Sequence, residues 1–66
     1  MLIVTFHNDG TGTEDVGNYD WGVFVNKRLL ARGRIEGHKR KAGWEGLMRD
    51  FVKALRNKKN TTYCDV

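Results

Sequence analysis

Residues 33–57 read GRIEGHKRKAGWEGLMRDFVKALRN, and this stretch decides the fold because it contains the strongest helical pattern of the chain. At about 100° per residue, six apolar side chains fall on one arc of roughly 140°. They are Trp44, Leu47, Met48, Phe51, Val52 and Leu55. Glu45 and Arg49 lie on the other side at the i, i+4 spacing that stabilises helices. The pattern predicts an amphipathic helix with Trp44 at the start of its core-facing stripe.

The chain before this helix has the β-branched, aromatic and alternating composition of strands. We predict strands over residues 2–7, 19–25 and 28–36. Residues 8–18 contain three glycines and one apolar residue, which predicts a loop. The order predicts an α+β domain over residues 1–57, a three-stranded antiparallel sheet (β-β-β-α order) with one C-terminal helix packed on one face. Residues 58–66 are polar and predict a disordered tail.

The hairpin between the second and third strands is compatible with two registers. A two-residue turn at Asn26 and Lys27 places four apolar side chains on the core face. These are Phe24, Leu29, Ala31 and Ile35. A three-residue loop instead aligns Trp21, Val23 and Val25 with Leu29, Ala31 and Ile35. In either register we expect Leu30, Arg32 and Arg34 on the bare face, beside an aromatic side chain of the second strand.

Charge is divided unevenly along the chain. Twelve Lys and Arg against eight Asp and Glu give a net charge of +4. Residues 1–26 contain no Lys or Arg and four acids, a net of −4. Residues 27–66 contain all twelve basic residues and four acids, a net of +8. The division favours an anionic partner for the second half, or a solvated surface whose two halves attract each other across the fold.

Cations concentrate where the third strand is predicted to lead into the helix. A helix N-terminus is already positive, and each like charge there costs about 0.3–1 kcal/mol when little screened. Free backbone N–H groups at such a terminus bind anions, which predicts a site for nucleic acid, a nucleotide or an acidic nucleoprotein surface. If these side chains are fully hydrated, the cost disappears and no ligand is needed. The candidate residues are Arg32, Arg34, His38, Lys39, Arg40 and Lys41.

The bare sheet face and the acidic loop are the other candidate surfaces. Aromatic side chains among arginines on a small sheet can stack nucleic-acid bases, and the same surface can dock a protein or a second copy of the chain. A structural homodimer is therefore open as well. The loop does not have the ligand spacing of a calcium loop, so a solvated loop is favoured over a metal site, and a role in partner contact stays open. The protein-interface candidates are Phe24, Leu30, Asp9, Glu14 and Asp15.

The sequence offers little support for catalysis. Neither His7 nor His38 has a nucleophile or a carboxylate at a sequence spacing typical of a catalytic pair. We therefore predict a protein that is not an enzyme and needs no cofactor. Cys64 is the single cysteine, which predicts a free thiol in a reducing compartment. The apolar start is too short for a leader or a membrane span. We therefore expect a cytoplasmic protein with no membrane contact.

Residues 8–47 resemble the short reading frames of tailed phages and prophages, a group without an assigned activity. The resembling stretches are NDGTGTEDVGNYDWGVFVN and RLLARGRIEGHKRKAGWEGL. In plan and size the chain is also similar to small anti-CRISPR proteins, which bind and block a host nucleoprotein complex without catalysis. That similarity implies an inhibitor that binds a host protein complex. Many such inhibitors are acidic mimics of DNA, whereas this chain carries a basic half.

Overall fold

The structure, a computed structural model, describes residues 1–64. It has an antiparallel sheet and one C-terminal helix, which confirms the α+β class. Strands β1, β2 and β3 are followed by a 3-10 turn, helix α1 and a short strand β4. The bounds are Leu2–Gly12 for β1, Val16–Val25 for β2, Arg28–Lys39 for β3, Arg40–Ala42 for the 3-10 turn, Gly43–Asn57 for α1 and Thr61–Tyr63 for β4.

The sheet has four strands in the order β1-β2-β3-β4, so the prediction of three strands was wrong. The additional strand comes from the segment predicted to be a disordered tail. After α1, Lys58 and Asn60 adopt left-handed backbone angles that turn the chain back along β3. Thr61–Tyr63 then pair antiparallel with Ala31–Gly33 because β3 presents an unpaired edge there. Residues 65 and 66 of the predicted tail lie outside the described residues.

The β1–β2 hairpin extends into the segment predicted to be a loop. Side chains replace ladder bonds there: Asn8 Oδ1 accepts from the Gly10 N–H at 2.9 Å, and Asp9 Oδ1 accepts from the Thr11 N–H at 2.8 Å. Gly10 and Gly12 have positive φ angles and accompany an irregularity of the pairing between Asn8 and Gly12. The glycine-rich segment predicted to be a loop is therefore largely a bulged hairpin.

The β2–β3 hairpin combines features of both predicted registers. Asn26 and Lys27 both have positive φ angles and form the two-residue turn, with Val25 opposite Arg28. Leu30 is then an extra residue in the ladder, since Phe24 pairs with Leu29 and Val23 pairs with Ala31. This bulge moves the later residues of β3 to the other face. The core face consequently carries Tyr19, Trp21 and Val23 together with Ala31 and Ile35.

Helix α1 buries only part of its apolar stripe. Leu47 and Phe51 are buried against Trp21, Ala31 and Ile35, and the Trp21 and Phe51 rings meet edge to face at 4.9 Å. The helix packs mainly on β3. A helix about 10 Å wide cannot cover a sheet of four strands spaced about 4.8 Å apart. The side of α1 that carries Trp44, Met48 and Val52 is therefore left exposed.

Gly33 is the position on β3 where a side chain would not fit. A Cβ there would collide with the Trp21 ring and with the backbone carbonyl of Asn60. The glycine thus lets the indole lie flat against β3 and lets the segment before β4 approach. Within residues 1–64, no helix has the length and apolar content that a membrane crossing requires.

Candidate functional site

The basic turn, defined here as Lys39, Arg40 and Lys41, lies between β3 and α1. Lys39 is the last residue of β3, and Arg40 opens the 3-10 turn that leads to the helix start at Gly43. All three cationic side chains are exposed. Because the turn joins two elements that pack on each other, its backbone is held by both.

The β1–β2 hairpin also supports the basic turn. The Arg40 backbone N–H donates to the Asp15 carbonyl oxygen, and Arg40 Nε donates to the Thr13 carbonyl oxygen, both at 3.0 Å. The guanidinium lies over Gly17, where a Cβ would come within 3.2 Å of the Arg40 Cζ. Within residues 1–64 the two terminal guanidinium nitrogens make no hydrogen bond, so they are able to bind an acceptor.

Arg34 lies on the opposite side of the sheet and is neutralised there. This open face is the face turned away from α1. Arg34 forms ion pairs with Asp9, with Asp20 at 3.2 Å and with Glu36 at 3.1 Å. These carboxylates raise the pKa of Arg34, led by its hydrogen bond with Asp9. Arg34 therefore holds three acids and has no charge to offer an anionic ligand.

Asp9 is the most strongly perturbed acid of this cluster. Its pKa is lowered from 3.8 to about 2, chiefly because its carboxylate accepts hydrogen bonds from the Thr11 hydroxyl and backbone N–H. The distances are 2.6 and 2.8 Å. The guanidinium of Arg34 lowers the pKa further. Asp9, predicted as a partner contact, is instead engaged inside the protein.

His38 is separated from the other predicted cations by burial. Its side chain is 3% exposed and faces α1, with Nδ1 3.0 Å from Asp50 Oδ2. The Tyr19 ring meets the His38 ring edge to face at 5.6 Å. A buried imidazole fixed by a carboxylate pins α1 to β3 and does not form part of an exposed cationic surface.

The structure thus divides the six predicted site residues into three groups. Lys39, Arg40 and Lys41 stay together, Arg32 and Arg34 lie on the open face, and His38 is buried. In the part of the chain described, no acidic side chain lies within ion-pair distance of the basic turn. Two acids of the first half, Asp9 and Asp20, pair with Arg34, and among the described residues neither Glu14 nor Asp15 forms an ion pair with the turn.

Trp44 is a candidate site residue that the sequence pattern did not indicate. It was predicted to lie in the core, yet 71% of its side chain is exposed. It stands one residue into α1, next to the basic turn, and its ring centroid lies 6.4 Å from that of Phe6. Met48 and Val52 follow it at i, i+4 spacing and are also exposed. The width of the apolar stripe of α1 could have indicated this exposure, because a stripe of about 140° is too broad to be buried entirely against β3.

The predicted protein-interface residues are scattered. Phe24 is half-buried on the open face opposite Leu29. Leu30 is exposed at the bulge, and Glu14 and Asp15 are exposed at the β1–β2 turn. Arg32 is exposed on the open face, across from Gly22. Of these residues, Asp15 contacts the basic turn, through its backbone carbonyl on the Arg40 N–H, whereas Phe24 and Arg32 lie on the open face.

Among residues 1–64, no group of three or more His, Cys, Asp or Glu side chains is arranged to hold a metal ion. Comparison with known proteins gave no family model, no curated protein and no solved structure that matches this chain.

Proposed function

We propose that the protein is a small non-enzymatic module that binds nucleic acid through the basic turn and Trp44. The observation that supports this function is the placement of three exposed cations, none of them in an ion pair within the described chain, next to Trp44, which is 71% exposed. Clustered Lys and Arg side chains bind the backbone phosphates of nucleic acids, and bases stack on exposed aromatic rings.

The local electrostatics of the basic turn favour an anion there. Lys39, Arg40 and Lys41 precede the positive end of α1, so they repel one another and the helix dipole at a cost of about 0.3–1 kcal/mol per charge at low salt. A phosphate group removes that repulsion. Arg40 is held by Thr13 and Asp15, which lowers the entropy lost when its guanidinium binds.

The test is fluorescence anisotropy with a labelled oligonucleotide of about 12 nucleotides at about 50 mM salt. The variant K39Q/K41Q removes two charges from the turn. Its matched control is K53Q/K59Q, which removes two charges from exposed lysines elsewhere. We expect K39Q/K41Q to weaken binding by about five- to tenfold and K53Q/K59Q to change it by less than about twofold.

Two results would reject this function. One is no binding by the wild-type protein at low salt. The other is equal weakening in both double variants, because a diffuse positive charge would then explain the binding without a site at the turn.

Self-association is a second candidate, and the exposed apolar flank of α1 favours it. The flank consists of Trp44, Met48 and Val52, and an aqueous monomer rarely exposes such a stripe without using it. Light scattering tests this directly: a dimer gives twice the chain mass of 7.6 kDa, and M48E should restore the monomer. A monomer at micromolar concentration removes this candidate.

A further inference from the structure

A cavity of about 230 Å³ opens beside the basic turn, between β2, β3 and the start of α1. Its walls are largely aromatic and apolar, with a cation at the rim. The lining residues are Tyr19, His38, Arg40, Gly43, Trp44 and Leu47. The volume is below that of pockets for drug-sized ligands, about 300–1,000 Å³, and is suited to a single planar ring system.

His38 is one of the polar residues that line this cavity. Asp50 accepts a hydrogen bond from Nδ1 at 3.0 Å, which places the proton of the neutral ring on Nδ1. Cε1 faces Gly46, where a Cβ would be 3.4 Å away. The remaining edge carries Nε2, which has no hydrogen-bond partner among the described residues. In the neutral tautomer Nε2 is an acceptor, which an N–H donor of a planar ring would match.

The residues around the cavity could contact the other parts of a nucleotide. Trp44 lines it and exposes most of its indole, while Arg40 brings its guanidinium from the basic turn. Arg40 belongs to both the cavity lining and the basic turn, so a base in the cavity would have its phosphate beside that turn. A base in a duplex is stacked and paired, and it cannot enter without being extruded.

We propose that this cavity receives one unstacked base of a single-stranded nucleic acid, with the N–H groups of the base facing His38 Nε2. The inference rests on the proposed function, because it uses the basic turn to hold the phosphates. It goes further by assigning the binding mode and a preference for single strands over duplexes. The cavity chemistry is common to RNA and DNA, so both are used as probes.

The experiment compares four probes of equal length at pH 8 and low salt: single-stranded DNA, single-stranded RNA, a DNA duplex and an abasic single strand. The abasic strand keeps the phosphates and lacks the bases. We expect both base-bearing single strands to bind about 5- to 150-fold more tightly than the abasic strand, the range for one stacked base. The duplex should bind no better than the abasic strand.

Two variants place the effect in the cavity. W44L removes an exposed wall, and H38Q removes the ring held by Asp50; circular dichroism checks that each is folded. Each should lower the affinity for base-bearing strands and leave the abasic strand unchanged. V52A, a matched change of an exposed apolar residue on the same helix, should alter neither.

The outcomes separate the two proposals. If all four probes bind equally and K39Q/K41Q weakens each of them, the basic turn binds phosphate and the base cavity is rejected. A preference for the duplex also rejects it. If none of the probes binds, the proposed function fails and the cavity proposal fails with it.

Discussion

Replacing Asp50 with alanine leaves the buried ring of His38 without its hydrogen-bond acceptor. The Nδ1 to Oδ2 distance is 3.0 Å, and the His38 side chain is 3% exposed while that of Asp50 is 36% exposed, so the substitution removes the protein partner of a buried donor at a partly solvated position. A buried donor left unsatisfied costs about 1–3 kcal/mol. Alanine recovers about 0.5 kcal/mol through its higher helix propensity. The net loss expected for D50A is therefore about 1–2 kcal/mol.

Urea unfolding followed by circular dichroism measures this loss. A chain of 66 residues is stable by roughly 3–10 kcal/mol, so the effect is a large fraction of the total. With a slope of about 1 kcal/mol per molar urea, the midpoint should fall by about 1–2 M. D50N keeps an acceptor in place and should recover most of the loss. A D50A midpoint equal to that of the wild type would show that the His38–Asp50 bond does not pin α1 to β3.

Three further predictions follow from the same structure. G33A should lower stability by about 1–3 kcal/mol, measured by thermal unfolding, because its Cβ collides with Trp21 and Asn60; an unchanged melting temperature would contradict the packing described. Asp9 should titrate with a pKa of about 2 by NMR, and T11V should raise this pKa. Because the folded pKa lies below 3.8, the stability that the Asp9 carboxylate contributes is present above about pH 4 and is lost as the pH falls through 2. A wild-type pKa of 3.8 would refute the hydrogen-bond assignment. Acrylamide should quench the emission of Trp44 and not that of Trp21, so W44F should leave a nearly unquenchable signal; equal quenching in W44F would contradict the burial of Trp21.

The elements predicted from the sequence were those with local patterns. Helix α1 follows from the spacing of Leu47 and Phe51, and β2 from its alternation. The start of the helix and the cluster of Lys39, Arg40 and Lys41 are likewise local features. These predictions needed no knowledge of distant contacts.

The features that were missed depend on contacts between distant residues. Thr61–Tyr63 is short and polar, and it becomes a strand only because the edge of β3 is unpaired beside it. The bulge at Leu30 changes the face of β3, which no pattern in residues 28–36 indicates. The exposure of Trp44 depends on where α1 lies across the sheet, and that position is set by the Trp21 and Phe51 packing.

The charged residues of the candidate site also depend on contacts that are distant in sequence. Arg34 and His38 are four residues apart and would share a face of a regular strand, but a second irregularity of the β2–β3 pairing, between Gly17 and Tyr19, places them on opposite sides of the sheet. Their acidic partners lie 14 and 12 residues away for Asp20 and Asp50. Sequence proximity therefore grouped six side chains, of which the structure keeps only the three cations of the basic turn together.

The salt dependence of binding tests the basic turn most directly. Each phosphate contact made with a single strand contributes about −0.7 to the slope of log K against log salt concentration. Three contacts by the basic turn predict a wild-type slope of about −2, and K39Q/K41Q should reduce it to about −0.7. K53Q/K59Q should keep the wild-type slope. A slope that is the same in the wild type and in K39Q/K41Q would show that these cations do not bind phosphate.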